Sequence, residues 1–261
     1  MEQTKKELSP KLDVVFQTLF GEEGSERITK RFLENILERK IEEIDLKQNQ
    51  ILRKEMPKEK LGILDIIAKI DEKENCNIEL QLIDRSNVVE RMLFYWSKIH
   101  TRGIKEGDDY KKLQKTIVIL IADYKLKETK GTDKYISKYK IMEEKERKVI
   151  LTDKLEIVII EMPKIKEDEA GELMDWLMFL KNPNSERVKE KMGTNKELRE
   201  AKEKLQNISE DEYMQRIAEL RQKAIMDEKA IRDKGYDDRS RGWTSRRRKT
   251  RNRVWKKYWD K

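Results

Sequence analysis

Two short apolar segments, each interrupted by an acid, constrain this chain more than any other feature. They are Ile63-Leu64-Asp65-Ile66-Ile67-Ala68-Lys69-Ile70 and Asn77-Ile78-Glu79-Leu80-Gln81-Leu82-Ile83, separated by the polar stretch Asp71-Glu72-Lys73-Glu74-Asn75. This is the pattern of two strands joined by a hairpin. Side chains alternate along a strand, so Leu64, Ile66, Ala68 and Ile70 share one face, while Asp65 shares the other with Ile67 and Lys69. On the second strand Ile78, Leu80 and Leu82 oppose Glu79 and Gln81. Closing the hairpin brings Asp65 near Glu79 and Gln81, and two carboxylates on one face repel each other unless a cation sits between them. From the residues alone, a metal site and a half-exposed edge position both fit.

Composition removes the competing chemistries. Cys76 is the one cysteine and His100 the one histidine in 261 residues. They leave no internal disulfide to form, no Cys/His zinc site to build and little support for a nucleophile that needs an imidazole base. Carboxylate chemistry remains, and Cys76 reads as a small buried residue at a strand start. The longest apolar run, 117–122, is strand-sized and far below the roughly 18 residues of a membrane span. The opening Met1-Glu2-Gln3-Thr4-Lys5-Lys6-Glu7 lacks the apolar core of a signal peptide. A cytoplasmic protein with no membrane partner is therefore expected. Although 43% of residues are charged, the periodic apolar segments argue against wholesale disorder.

The net charge of +8 is not spread evenly, because residues 239–261 hold eleven Lys and Arg against one Asp, which leaves residues 1–238 at −2. Nucleic-acid affinity in the body must then come from local patches such as Lys54, Lys58 and Lys60. The tail admits two readings. As a basic stretch with Trp243, Trp255 and Trp259 interleaved, it reads as a nucleic-acid-binding arm. It also reads as a frameshift product: read one base later, the single tryptophan codon TGG always encodes glycine, and purine-rich arginine codons encode glutamate or glycine.

Ser25 is placed to cap a helix carrying Ile28, Phe32, Ile36 and Leu37, and a shorter helix with Val15, Leu19 and Phe20 precedes it. Residues 44–52 read as a first strand, followed by the charged link 53–60 and the hairpin. From Ser86 a long helix carries Val88, Met92, Trp96 and Ile99, ending at Gly103 and Gly107. Residues 116–123 read as a central strand buried on both faces. Two extended segments, 135–142 and 148–162, enlarge the sheet or pack at its edge, and Pro163 closes the domain. Beyond it, Leu173, Trp176, Leu177 and Leu180 form a helical stripe broken by Asn182-Pro183-Asn184. Ser209 with Glu212 matches a capping box opening a helix with Tyr213, Ile217, Leu220 and Ala224.

The strand Asp, the hairpin and the Glu-x-Gln that follows resemble the PD-(D/E)XK nuclease fold, and specifically the Rpn family of recombination-promoting nucleases and transposases. The resemblance also rests on Leu8-Ser9-Pro10-Lys11-Leu12-Asp13-Val14-Val15-Phe16 with Leu19-Phe20-Gly21, on the run from Arg91 to Tyr95-Trp96-Ser97-Lys98, and on Leu151-Thr152-Asp153-Lys154-Leu155-Glu156 leading to Glu161-Met162-Pro163. It covers about residues 8 to 235. The α/β core of that fold runs helix, three strands, helix, strand, and here a C-terminal helical extension follows. The implied organisation is a nuclease domain at 1–163, a charged helical extension at 164–235 and a basic tail at 236–261. For that tail the resemblance implies a composition rich in glycine and glutamate, which is what the shifted reading frame gives.

The resemblance further implies metal-assisted hydrolysis of DNA phosphodiester bonds. Asp65, Glu79 and the backbone carbonyl of Leu80 would hold Mg²⁺ or another divalent cation, with Gln81 as a third catalytic position. Many superfamily members carry Lys where this chain has Gln81, whose amide orients water or phosphate but brings neither charge nor a titratable proton. Arg91 and Lys69 are the candidates for the missing charge. Glu34 on the first long helix is a further acid in some members and otherwise an exposed helix residue. His100, Tyr95 and Trp96 read as packing positions. The rival function is a catalytically inactive DNA-binding or oligomerising protein retaining the fold, with self-association through the C-terminal helices.

Overall fold

The computed structural model of the protein describes residues 6–46 and 66–232. Asp65, Lys54, Lys58, Lys60, most of the expected first strand and the tail 239–261 lie outside the described residues. The chain divides into two compact units, with the boundary after Ala218. The second contributes helical residues 219–232.

Two helices open the described chain, α1 (Asp13–Phe20) and α2 (Glu26–Leu37). Three strands follow: β1 (Ile44–Asp45), β2 (Ile66–Ile70) and β3 (Glu74–Gln81). Next come α3 (Val88–Thr101) and β4 (Lys115–Ala122), the helix–strands–helix–strand order expected from the sequence. Strands β5 (Ile136–Met142) and β6 (Ile150–Glu161) enlarge the sheet, and α4 (Glu172–Lys181), α5 (Glu186–Lys191) and α6 (Lys196–Glu210) complete the element order. The sheet runs β1-β2-β3-β4-β6-β5. β6 sits inside it, parallel to β4, and leaves β5 on the edge. The physical reason is that Ile157 to Ile160 are as apolar as β4 and need cover on both faces.

The hairpin turn is tighter than the sequence suggested, and β3 begins at Glu74 rather than at Asn77. Asp71 and Glu72 both adopt left-handed backbone (φ 49° and 55°), and the Lys73 N–H closes the turn on the Ile70 carbonyl at 3.0 Å. An aspartate tolerates that conformation. Here its carboxylate is also used, accepting the N–H groups of Glu42 and Glu43 at 2.8 and 2.9 Å. The ladder then pairs Ile66 with Ile78 and Ile70 with Glu74.

Alternation along β3 sends its side chains to two different layers. Glu74, Cys76, Ile78 and Leu80 face the side where Arg39, just beyond α2, pairs with Glu74. Helices α4 and α6 pack on α1 and α2, and Phe20, Phe32, Trp176 and Phe179 form an aromatic cluster with ring centroids 5.1 to 6.4 Å apart. Helix α4 is buried almost all round, so its apolar stripe is wider than the four residues read from the sequence. Asn75, Asn77, Glu79 and Gln81 face the other layer, where α3 crosses from β3 to the parallel strand β4. There Val88 and Met92 pack against Val118, Leu120 and Ile159.

Two caps differ from expectation. Ser25 occupies the N-cap position of α2, but its hydroxyl does not cap the helix; it accepts from Lys204 and reaches the Thr18 carbonyl. Ser209 lies inside α6, where its hydroxyl donates to the Leu205 carbonyl and accepts the Leu8 N–H. Asp211 instead caps the helix that starts at residue 212, its carboxylate accepting the Met214 N–H at 2.8 Å. A carboxylate three residues ahead of an orphan N–H serves as well as the serine the capping box calls for.

Candidate active site

Glu79 sits near the C-terminal end of β3 with its side chain 0% exposed, paired in register with Leu120 of β4. Its Oε1 is surrounded: the Arg91 guanidinium and the Gln81 amide both donate to it. Its Oε2 is buried with no hydrogen-bond partner among the described residues. Arg91 is delivered by the first turn of α3, which returns antiparallel over β3. The guanidinium also lies over the Tyr95 ring, 5.9 Å from its centroid.

Gln81 is positioned from both ends of its amide. Its Nε2 donates to Glu79 and its Oε1 accepts the Tyr124 hydroxyl at 2.9 Å. Its backbone carbonyl accepts the Asp123 N–H at 2.8 Å, and the Asp123 carboxylate is held in turn by Lys11 at 2.8 Å. Successive carbonyls of a strand point to opposite edges. With Gln81 bonded toward β4, the Leu80 carbonyl is directed to the β2 side of β3.

Burial pushes the Glu79 carboxyl above its ordinary range, against the opposing pull of Arg91, the Gln81 amide and Arg85. A raised carboxyl value means that the folded chain keeps a proton the unfolded chain has released. Burying this group therefore costs stability increasingly as the pH rises past the unfolded carboxylate range. A buried carboxyl oxygen without a partner suits a hard cation such as Mg²⁺, whose binding would displace the proton, so Glu79 fits a metal. Among the described residues, no group of three or more His, Cys, Asp or Glu is arranged to hold one. Asp65, the other carboxylate read from the sequence, lies outside them.

The remaining sequence candidates separate. Lys69 pairs with Asn75, four residues along β3 from Glu79, and is not beside it. Glu34 accepts the Ile41 N–H at 3.0 Å and pairs with Arg31; it fixes the turn after α2. His100 stacks on Trp96 with centroids 4.6 Å apart and meets the Thr116 hydroxyl at 3.3 Å, a packing role. Cys76 is fully buried, and burial raises its thiol out of the reactive range.

The sequence reading missed Asn77 and Tyr124. Asn77 is fully buried between Ile67 and Val118 in register, and both its side-chain polar atoms lack a partner among the described residues. The signal was present, since Asn77 lies two residues before Glu79 and alternation puts both on one face. Tyr124 carried no signal, because only the strand pairing brings it to Gln81.

A family model described as PD-(D/E)XK nuclease family transposase matches residues 10–235. No curated protein and no solved structure matches. No helix among the described residues is long and apolar enough to cross a membrane.

Proposed function

Because the chain belongs to the PD-(D/E)XK nuclease transposase family, we propose that it is a divalent-cation-dependent DNA endonuclease with a recombination- or transposase-like role. The observation that carries this reading is the unpartnered, fully buried Oε2 of Glu79 beside Arg91. Glu79, Asp65 and the Leu80 carbonyl are the residues assigned to the cation, which when bound lowers the pKa of a water and offsets charge on the phosphate. Gln81 holds Glu79 in one rotamer while Tyr124 holds Gln81. Arg91, 17% exposed, balances the fully buried carboxylate. The bond broken is a P–O ester of the DNA backbone, with water supplying the new oxygen. The chemistry is assigned to residues 1–163, with 164–235 as its supporting extension.

One observation favours the rival, a catalytically silent DNA-binding protein: Arg91 already gives Glu79 a positive partner. Plasmid nicking with and without Mg²⁺ separates the two. Metal-dependent nicking lost in Asp65→Ala and Glu79→Gln is the expected result. Plasmid retained but never cut, at any divalent metal concentration, would leave the rival standing.

A further inference from the structure

On the α3 face of the sheet, a cleft of about 410 Å³ opens between the C-terminal end of α3 and the first residues of β3, lined among others by Lys69, Asn75, His100, Arg102 and Lys112. Its floor is the small apolar contact of Ile67 with Ile99. We infer that this cleft receives the phosphate backbone of the DNA several nucleotides from the bond that is cut, an assignment that rests on the nuclease reading above.

Position is the first argument. Asn75 and Glu79 lie on one face of β3, four residues apart, which is about 13 Å at roughly 3.3 Å per residue. One strand of a duplex advances roughly 3.4 Å per nucleotide. A phosphate at the cleft is then at most about four nucleotides from one at Glu79, the limit reached when the separation lies along the duplex axis.

Charge is the second argument. Lys69 enters from β2, Arg102 from the end of α3 and Lys112 from the segment before β4. Asp108 pairs with Lys112, which removes part of one charge, and no acid is among the residues that line the cleft. Continuity is the third. Arg91, Lys98 and Arg102 are spaced by seven and four residues, so they lie on one stripe of α3. The stripe begins at the partner of Glu79 and ends in the cleft, a span of about 16 Å at roughly 1.5 Å per residue. Midway, Lys98 lies 5.8 Å from the ring of the partly exposed Phe94, a cation and an aromatic side by side as in channels that track a nucleic-acid strand.

The test is DNA affinity of the full chain across a salt titration, with three proteins beside wild type. The first carries Lys69→Gln, Arg102→Gln and Lys112→Gln. The second keeps the charges through Lys69→Arg, Arg102→Lys and Lys112→Arg. The third is a charge-matched control, Lys189→Gln, Lys191→Gln and Lys196→Gln, on the C-terminal helices. The tail 239–261 is common to all and cancels from the differences.

The neutral cleft variant is expected to lose about two to three units of the log–log salt slope, at about 0.9 per phosphate contact. The charge-keeping variant is expected to restore them and the control to lose none. Equal losses in cleft and control variants, no loss in either, or no DNA binding by wild type would each overturn the assignment. The nuclease reading is scored separately by nicking with Glu79→Gln. A cleft-dependent slope without any metal-dependent nicking supports the cleft and sinks the enzyme, and nicking with a slope indifferent to the cleft does the reverse.

Discussion

Two buried glutamates on the same face of the sheet differ in how completely they are satisfied. Glu161, at the end of β6, is 1% exposed. Its Oε1 accepts the Leu126 N–H at 2.7 Å, and its Oε2 accepts the Thr129 hydroxyl at 2.7 Å and the Lys164 ammonium at 2.6 Å. Glu79 is equally buried and also has a cation, but both of its donors crowd one oxygen and the other has none. Burial of an acid is therefore not what singles out a site; an unfilled valence is. Glu161 ties the loop after β4 to the end of β6, whereas Glu79 keeps one oxygen without a hydrogen-bond partner among the described residues.

The comparison predicts opposite responses to one chemical change. Glu161→Gln keeps the shape but leaves Lys164, 6% exposed, without its counter-charge. Chemical denaturation should show a loss of about 3–5 kcal/mol. Glu79→Gln should melt no lower than wild type in EDTA, because Arg91 is 17% exposed and the neutral amide removes a buried charge. Its metal-dependent cleavage should fall about 10²–10³-fold, the scale of removing one preorganised electrostatic group. If Glu79→Gln unfolds like Glu161→Gln while still cutting, the two glutamates are alike and the contrast is broken.

A sharper version varies only the neighbour. In Gln81→Lys the ammonium can still donate to Glu79 and adds the charge that many superfamily members place there, at the expense of the Tyr124 contact. Cleavage within about tenfold of wild type is expected, given that one good electrostatic contact is worth about that much or more. Gln81→Ala should lose more, and equal rates for the two would show that Gln81 does not orient Glu79.

The smallest effect tests the far end of the face. Burial, opposed by a backbone hydrogen bond with Gln114 and reinforced by Lys154, holds the His100 imidazole below its ordinary value. A depressed imidazole contributes stability that is complete above about pH 6.5 and is lost as the pH falls through the folded value. His100→Gln should flatten the melting-temperature slope on the acid side of pH 6.5 while leaving neutral pH unaffected, and an unchanged slope would refute the assignment.

Much of this was legible before folding. The uninterrupted apolar run of β4, the helical spacing of Ile28, Phe32 and Ile36, and the alternation around Glu79 depend only on local periodicity, and periodicity survives in a one-dimensional string. Other features depend on which atoms meet. Ser209 was the cap read from the sequence, but the path of the chain past Leu8 engages its hydroxyl and Asp211 caps the helix. Glu34, Glu79 and Glu161 are one residue type in apolar surroundings; the sequence ranked Glu79 by its motif, but what each carboxylate lacks was set by neighbours 7 to 35 residues away. Charge and pattern are properties of the chain, whereas satisfaction of a buried atom belongs to the packed volume around it, and only the tertiary structure fills that volume.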